Sequence, residues 1–245
     1  HISIFHKDEV MMSERTLYSY VNNGIFSARN IDMPRTVRMR PRKSKTRPLK
    51  VDKSCRINRT FKDYKDYMSN HSDLPAQQID SVIGIKGGPV LLTIHFVKQE
   101  LQLAFLRESN DSKSVTDIFN NLYSKLGSDA YSDLFPILLA DNGSEFSRYE
   151  EIEEILGTMI YFCHPGASYE KGTNERHNGM LREYIPKGSD ISKYSAEDLD
   201  RIVAKLNDLE RKKLNYYTPY MKILEEYDSI EGTELLFNLQ TAVND

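Results

Sequence analysis

Three acids in this sequence sit where chemistry is possible. Glu175 lies in Gly172-Thr173-Asn174-Glu175-Arg176-His177-Asn178-Gly179. Asp141 begins Asp141-Asn142-Gly143, directly after the apolar run Pro136-Ile137-Leu138-Leu139-Ala140. Asp80 interrupts a β-prone stretch, Ile79-Asp80-Ser81-Val82-Ile83. Singly, each has an ordinary reading: a solvated pair on a helix face, an Asn-Gly turn, a strand acid facing water. Gathered at one place, three carboxylates would repel and raise one another's pKa unless a cation neutralised them. Ligands that are all oxygen favour Mg²⁺ or Mn²⁺ over zinc. Two such ions about 3.5–4 Å apart serve in-line phosphoryl displacement, one activating the attacking oxygen and the other steadying the leaving oxygen.

The elements that must position these acids are legible in order. Gln78 to Ile85, Val90 to Val97 and Leu101 to Leu106 read as three strands with short connections, hence an antiparallel meander. Ser114 to Leu126 places Val115, Ile118, Phe119, Leu122 and Leu126 on one helical face, with Asp111 or Ser112 as cap. Pro136 to Ala140 reads as a strand buried on both sides, with Asp141 at its carboxyl end. Tyr149 to Leu156 reads as helix and Thr158 to Cys163 as a fifth strand. A helix capped by Thr173 and stopped by Pro186 then carries Glu175, Asn178, Gly179 and Arg182 on one face. Met180, Leu181, Tyr184 and Ile185 form its apolar face. The order implies a mixed five-stranded sheet flanked by helices.

The segments around the three acids resemble the DDE transposases of bacterial insertion sequences, and among them the insertion-sequence-thirty family. The matching stretches are Ile79 to Gly84, Ala140-Asp141-Asn142-Gly143-Ser144-Glu145-Phe146 and Lys171 to Gly188, with 33 residues between Asp141 and Glu175. The resemblance implies an α/β, ribonuclease-H-like catalytic core of the retroviral-integrase type. It implies that Asp80, Asp141 and Glu175 are both catalytic and metal-binding, holding Mg²⁺ or Mn²⁺, two ions together. Glu145 falls at a motif position outside the triad. The implied activity is metal-dependent DNA cleavage and strand transfer at element ends, with water and then a freed 3′-hydroxyl as nucleophile. The implied partners are double-stranded DNA (terminal repeats and target) and further copies of the chain assembled on it. Before Thr218-Pro219 the family usually carries a stretch rich in Asn, Arg and Pro; here it reads Leu206-Asn207-Asp208-Leu209-Glu210-Arg211-Lys212-Lys213-Leu214. That departure, with a shortened N-terminal reader, supports a second reading: a catalytically inactive DNA-binding remnant. A nuclease without strand transfer is a third.

Charge distribution points the same way. The chain has 245 residues and a net charge of −3. Arg35, Arg38, Arg40, Arg42, Lys43, Lys45, Arg47 and Lys50 stand in sixteen residues without an acid, so −11 (the total of −3 less the arm's +8) falls on the rest. A basic arm on an acidic body suits a polyanionic partner. Arg40, Arg42, Lys43 and Lys45 are expected to contact DNA phosphates, as are Arg15 on a short helix capped by Ser13, and Lys171 and Arg182 beside the Glu175 face. Ser13 to Val21 has the look of a helix-turn-helix reader, whose preceding helix would lie in Ile4 to Met11. Phe61 to Met68 reads as a short helix before the core.

The expected domains are a partial helix-turn-helix region at 1–34, a basic linker at 35–76, the integrase-type catalytic domain at 77–215 and an acidic, helical tail at 216–245. Opening on His1 rather than Met suggests that part of the natural N-terminus is missing. Cys55 and Cys163 are too few for a disulfide framework or a Cys-rich zinc site. The longest apolar run, about Val90 to Val97, is too short to span a bilayer. With no signal peptide visible, a bacterial cytoplasmic setting is expected.

Overall fold

The computed structural model describes residues 12–29, 32–33, 56–226, 234–236 and 239. The chain divides into two units, 1–49 and 50–245.

In the first unit, helix α1 (Glu14–Asn22) starts where Ser13 accepts a hydrogen bond from the Thr16 backbone N–H at 3.2 Å. Gly24, at φ +68°, turns the chain away after it. None of its residues is buried, and Arg15 is exposed. The expected preceding helix and the basic run at 35–50 fall outside the described residues.

The second unit is built on one five-stranded sheet of order β3-β2-β1-β4-β5. β1 (Ala76–Ile83), β2 (Val90–Phe96) and β3 (Leu101–Arg107) pair antiparallel. β4 (Ile137–Ala140) and β5 (Met159–Phe162) run parallel to β1. This is the expected mixed sheet, with Asp80 on β1 and Asp141 directly after the neighbouring strand β4. β2 and β4 are buried along their whole length, because helices cover both faces.

The helices follow from caps and apolar stripes. α2 (Phe61–Asn70) opens with a capping box between Thr60 and Asp63. α3 (Ser112–Leu126) is capped by Asp111, whose carboxylate accepts from Ser114 N–H at 2.8 Å. α4 (Ser128–Leu134) is a short helix that the periodicity does not announce. Gly127, at φ +77°, separates it from α3. α5 (Tyr149–Leu156), α6 (Gly172–Tyr184), α7 (Ala196–Asn207) and α8 (Pro219–Glu226) complete the unit. Among the described residues no helix is long and apolar enough to cross a membrane.

Alternation along β1 divides the core. Ile79 joins Leu92, Ile94, Phe119, Leu122, Ile152 and Ile223 on one face. Val82 joins Leu91 with Leu181 of α6, Ile185 at its C-cap, and Leu199 and Leu206 of α7 on the other. A third cluster packs Leu139 and Tyr161 against Phe61 and Tyr64 of α2. Asp80 is even-numbered like Val82, so it points to the face that α6 covers.

Candidate functional site

The sheet brings the first two acids together. β1 and β4 are in parallel register, with Gln78 beside Leu139. Extending that register by two residues sets Asp80 beside Asp141, and side-by-side residues of parallel strands point the same way. Asp141 begins the turn after β4, and its Oδ1 accepts from Gly143 N–H at 3.0 Å. The Asn142 amide holds this turn against β5 by donating to Cys163 O at 2.5 Å. Glu145 is buried over the same turn, and a Cβ on Gly143 would stand 2.2 Å from Glu145 Oε2. A side chain at 143 would have to displace the Glu145 carboxylate from this turn.

Asp80 is largely sheltered. Burial pushes its carboxyl above the usual carboxylate range; the charge of Lys171 opposes that and the charge of Asp141 adds to it. Asp80 Oδ2 accepts from Asn178 Nδ2 at 2.8 Å, and Oδ1 accepts from Ser81 N–H at 3.0 Å. Lys171 is buried; its Nζ lies 3.6 Å from Asp80 Oδ1 and donates to Ile79 O at 2.8 Å. The structure thus brings Lys171 to the first acid. Arg182 Nη2 donates to Ile83 O at 2.8 Å, at the end of the same strand.

Glu175 rides on α6 as its neighbours dock on β1. Asn174 N–H donates to Gln78 Oε1 at 3.1 Å, and Leu181 and Ile185 are fully buried. The helix begins at Gly172, with Lys171 as its N-cap and no side-chain cap bond, so Thr173 lies inside it rather than capping it. Glu175 itself is exposed. It shares a face with Lys171 and Asn178, four residues before it and three after, and those two residues hold Asp80.

Among the described residues, the His, Cys, Asp and Glu side chains whose ligand atoms all fall within 4.8 Å of one another form a different set: His95, Glu100 and His177, each fully buried. Sequence reasoning missed this cluster. His95 and His177 meet with ring centroids 3.9 Å apart. Burial lowers the pKa of His95 to about 3 and of His177 to about 2, so both are neutral at pH 7. Neutral His177 donates from Nε2 to Glu100 Oε2 at 3.1 Å. Arg176 also pairs with Glu100 Oε2, and Lys213 Nζ donates to Oε1 at 2.8 Å. Two cations already neutralise this carboxylate, so a dication there would be repelled. Glu100 is the centre of a hydrogen-bonded hub.

Other residues singled out by sequence have plain placements. His164 bonds Glu170, Nδ1 to Oε1, at 2.8 Å, and Cys163 is buried, its pKa pushed up to about 12. Arg40, Arg42, Lys43 and Lys45 fall outside the described residues. Asn178, set on the Glu175 face by its spacing, is the residue that donates to Asp80. Glu100 and His95 carry no motif that would have marked them.

Asp80, Asp141 and Glu175 offer only oxygen donors, the ligand type a hard divalent cation takes, but their carboxylates do not all fall within 4.8 Å of one another. A largely buried carboxylate next to a second one is the environment such a cation relieves.

No protein-family model matches the chain. It is 32% identical over 224 residues to a probable transposase for insertion-like sequence element IS1161 of Streptococcus salivarius, covering 90% of this chain and 60% of that protein. It is 46% identical over 90 residues to the transposase for insertion sequence element IS4351 of Bacteroides fragilis, covering 37% and 28%. It is 31% identical over 152 residues to transposase InsI for insertion sequence element IS30A of Escherichia coli K12, covering 62% and 38%. The chain therefore spans about three fifths or less of the length of these relatives. In structure it is similar to the catalytic core domain of BIV integrase at TM-score 0.44 and 19% identity, covering 62% of this chain and 94% of that one.

Proposed function

We propose, from the premise that this chain belongs with the transposases of bacterial insertion sequences, that it carries a DDE-type catalytic core acting on DNA. The reaction is phosphodiester cleavage followed by strand transfer at element ends. The observation that carries this reading is the pairing of β1 with β4. It sets Asp80 and Asp141 side by side on the face that α6, the helix of Glu175, covers.

Asp80, Asp141 and Glu175 would hold Mg²⁺ or Mn²⁺, two ions in the full assembly. Bound there, the metal would supply activation of the attacking oxygen and stabilisation of the leaving one. The chain's own residues do the rest. Asn178 and Lys171 orient the Asp80 carboxylate. The Asn142 and Gly143 hydrogen bonds fix the turn that presents Asp141. Arg182 and the basic run at 35–50 meet phosphates, with the arm supplying much of the sequence-independent affinity. The substrate is double-stranded DNA, the working form is a homo-oligomer on that DNA, and the setting is the bacterial cytoplasm.

The test is incubation with DNA carrying the element's ends plus Mg²⁺ or Mn²⁺, resolving nicked and joined products. Metal-dependent nicks at the ends and joined products are expected, and both should vanish in Asp80→Asn, Asp141→Asn and Glu175→Gln. A second reading, a DNA-binding remnant that cuts nothing, is favoured by one observation: Glu175 is exposed while Lys171 and Asn178 hold Asp80. DNA binding without cleavage in either metal would establish it.

A further inference from the structure

We infer that Glu100, in the turn between β2 and β3, is a positioning residue for Glu175: it sets the rotation of α6 about its own axis through Arg176 and His177. This rests on the reading of Glu175 as a metal ligand.

Glu100 is fully buried and adopts a left-handed backbone, at φ +55°, in the turn between Phe96 and Leu101. A non-glycine residue held there, with a buried charge, persists only where its surroundings over-determine it. Here they do. Its carboxylate takes donors from Arg176 and His177 on α6 and from Lys213 in the segment after α7. Arg176 and His177 are the two residues directly after Glu175. A helix turns about 100° per residue, so they leave α6 about 100° and about 200° round from it. Lys171 and Asn178, which reach Ile79 and Asp80, lie on Glu175's own side.

The helix is thus pinned from two sides. The Lys171 and Asn178 bonds hold it against β1, and the Glu100 hub holds its far side against the β2–β3 turn. The apolar packing of Leu181 and Ile185 lies further along and tolerates some rolling, because dispersion attraction is not directional. Hydrogen bonds to one buried carboxylate are directional, so the hub decides the roll. Glu175 is exposed and rides at the rim of the helix, where a small roll becomes a large displacement of its carboxylate. Misplacing a reacting group by about 1 Å lowers rates by about 10²-fold.

The test measures Mn²⁺ affinity by calorimetry without DNA, alongside thermal unfolding to confirm folding. Three variants are compared with wild type: Glu100→Gln, Arg176→Met and Glu175→Gln, together with the doubles that combine each of the first two with Glu175→Gln. Positioning predicts weaker Mn²⁺ binding in Glu100→Gln, by about 10-fold, the size typical of residues that orient metal ligands. Arg176→Met discriminates by sign. Removing a positive charge tightens cation binding if only the field matters, and loosens it if Arg176 holds the helix. Loosening is expected. In the Glu175→Gln background both losses should disappear, since there is no carboxylate left to aim. Tighter or unchanged binding in Arg176→Met, or a Glu100→Gln loss that persists undiminished in the Glu175→Gln background, overturns the inference. If Glu175→Gln itself binds Mn²⁺ as wild type does, the metal-site reading fails instead. Should Glu100→Gln not fold, Arg176→Met decides alone, because its side chain is 44% exposed and Lys213 and His177 still donate to Glu100.

Discussion

Asp80 is a carboxylate held in conflict. Burial and Asp141 raise its pKa, and Lys171 only partly offsets them. The folded chain therefore binds that proton more tightly than the unfolded chain. The corresponding stability is present below the ordinary Asp range, about pH 4, and is lost as pH rises through the folded value. Without divalent metal, Asp80→Asn is expected to be at least as stable as wild type at pH 7, with the difference shrinking toward pH 4. Urea unfolding at both pH values, in chelator, measures it. Adding Mn²⁺ should stabilise wild type and not the variant. His95 and His177 work with the opposite sign. Their folded pKa values of about 3 and about 2 lie below the ordinary value of 6.5. Their contribution is present above pH 6.5 and is lost as pH falls, with a slope approaching about 1.4 kcal/mol per pH unit for each histidine. His95→Gln is expected to flatten the stability profile between pH 7 and pH 5. A profile as steep as wild type would mean that other groups dominate acid unfolding.

α6 links packing to chemistry. Its apolar side, Leu181 and Ile185, is fully buried against Val82 and Leu91, while its first turns carry Glu175 and the bonds to Asp80. Leu181→Ala should cost about 2–5 kcal/mol, the range for a large buried residue cut to Ala. Because the cavity lies under the helix that carries a proposed ligand, Mn²⁺ affinity should fall as well. Leu122→Ala removes an equally buried residue from α3, in the cluster on the other face of the sheet. It should destabilise comparably and leave Mn²⁺ affinity unchanged. Equal losses of affinity in both variants would mean that global stability, not the placement of α6, controls the site.

For the chain as a whole, charge is segregated along the sequence. The basic run at 35–50 comes before the described part of the second unit, in which Arg56 donates to Asn142 O at 3.3 Å, in the turn after Asp141. Replacing Arg40, Arg42, Lys43 and Lys45 with Ala is expected to weaken DNA binding. It should also flatten the dependence of log K on log salt by up to about 0.9 for each phosphate that is no longer neutralised. Binding measured at several salt concentrations checks this, and an unchanged slope would leave the run as a linker.

How much of this is readable from the sequence depends on whether the signal is local. Strands Val90–Phe96 and Leu101–Arg107 are β-prone runs, and Ser13 and Asp111 cap where their side chains and spacing say they should. The succession of strands and helices along the chain and the stretches around Asp80, Asp141 and Glu175 were likewise determined by the sequence, because propensity, capping and motif spacing act within a few residues. α4 escaped because seven residues with two buried side chains, Tyr131 and Leu134, are too short to show a period. α6 starts ahead of Thr173 because its first turn is held by docking on β1 rather than by a cap. Tertiary structure alone decided that Lys171 is buried against Asp80 and that His95, Glu100, His177 and Lys213 share one polar hub. Burying such groups is favourable only when partners far along the chain supply matching donors and acceptors. No local pattern encodes partners that folding alone brings together.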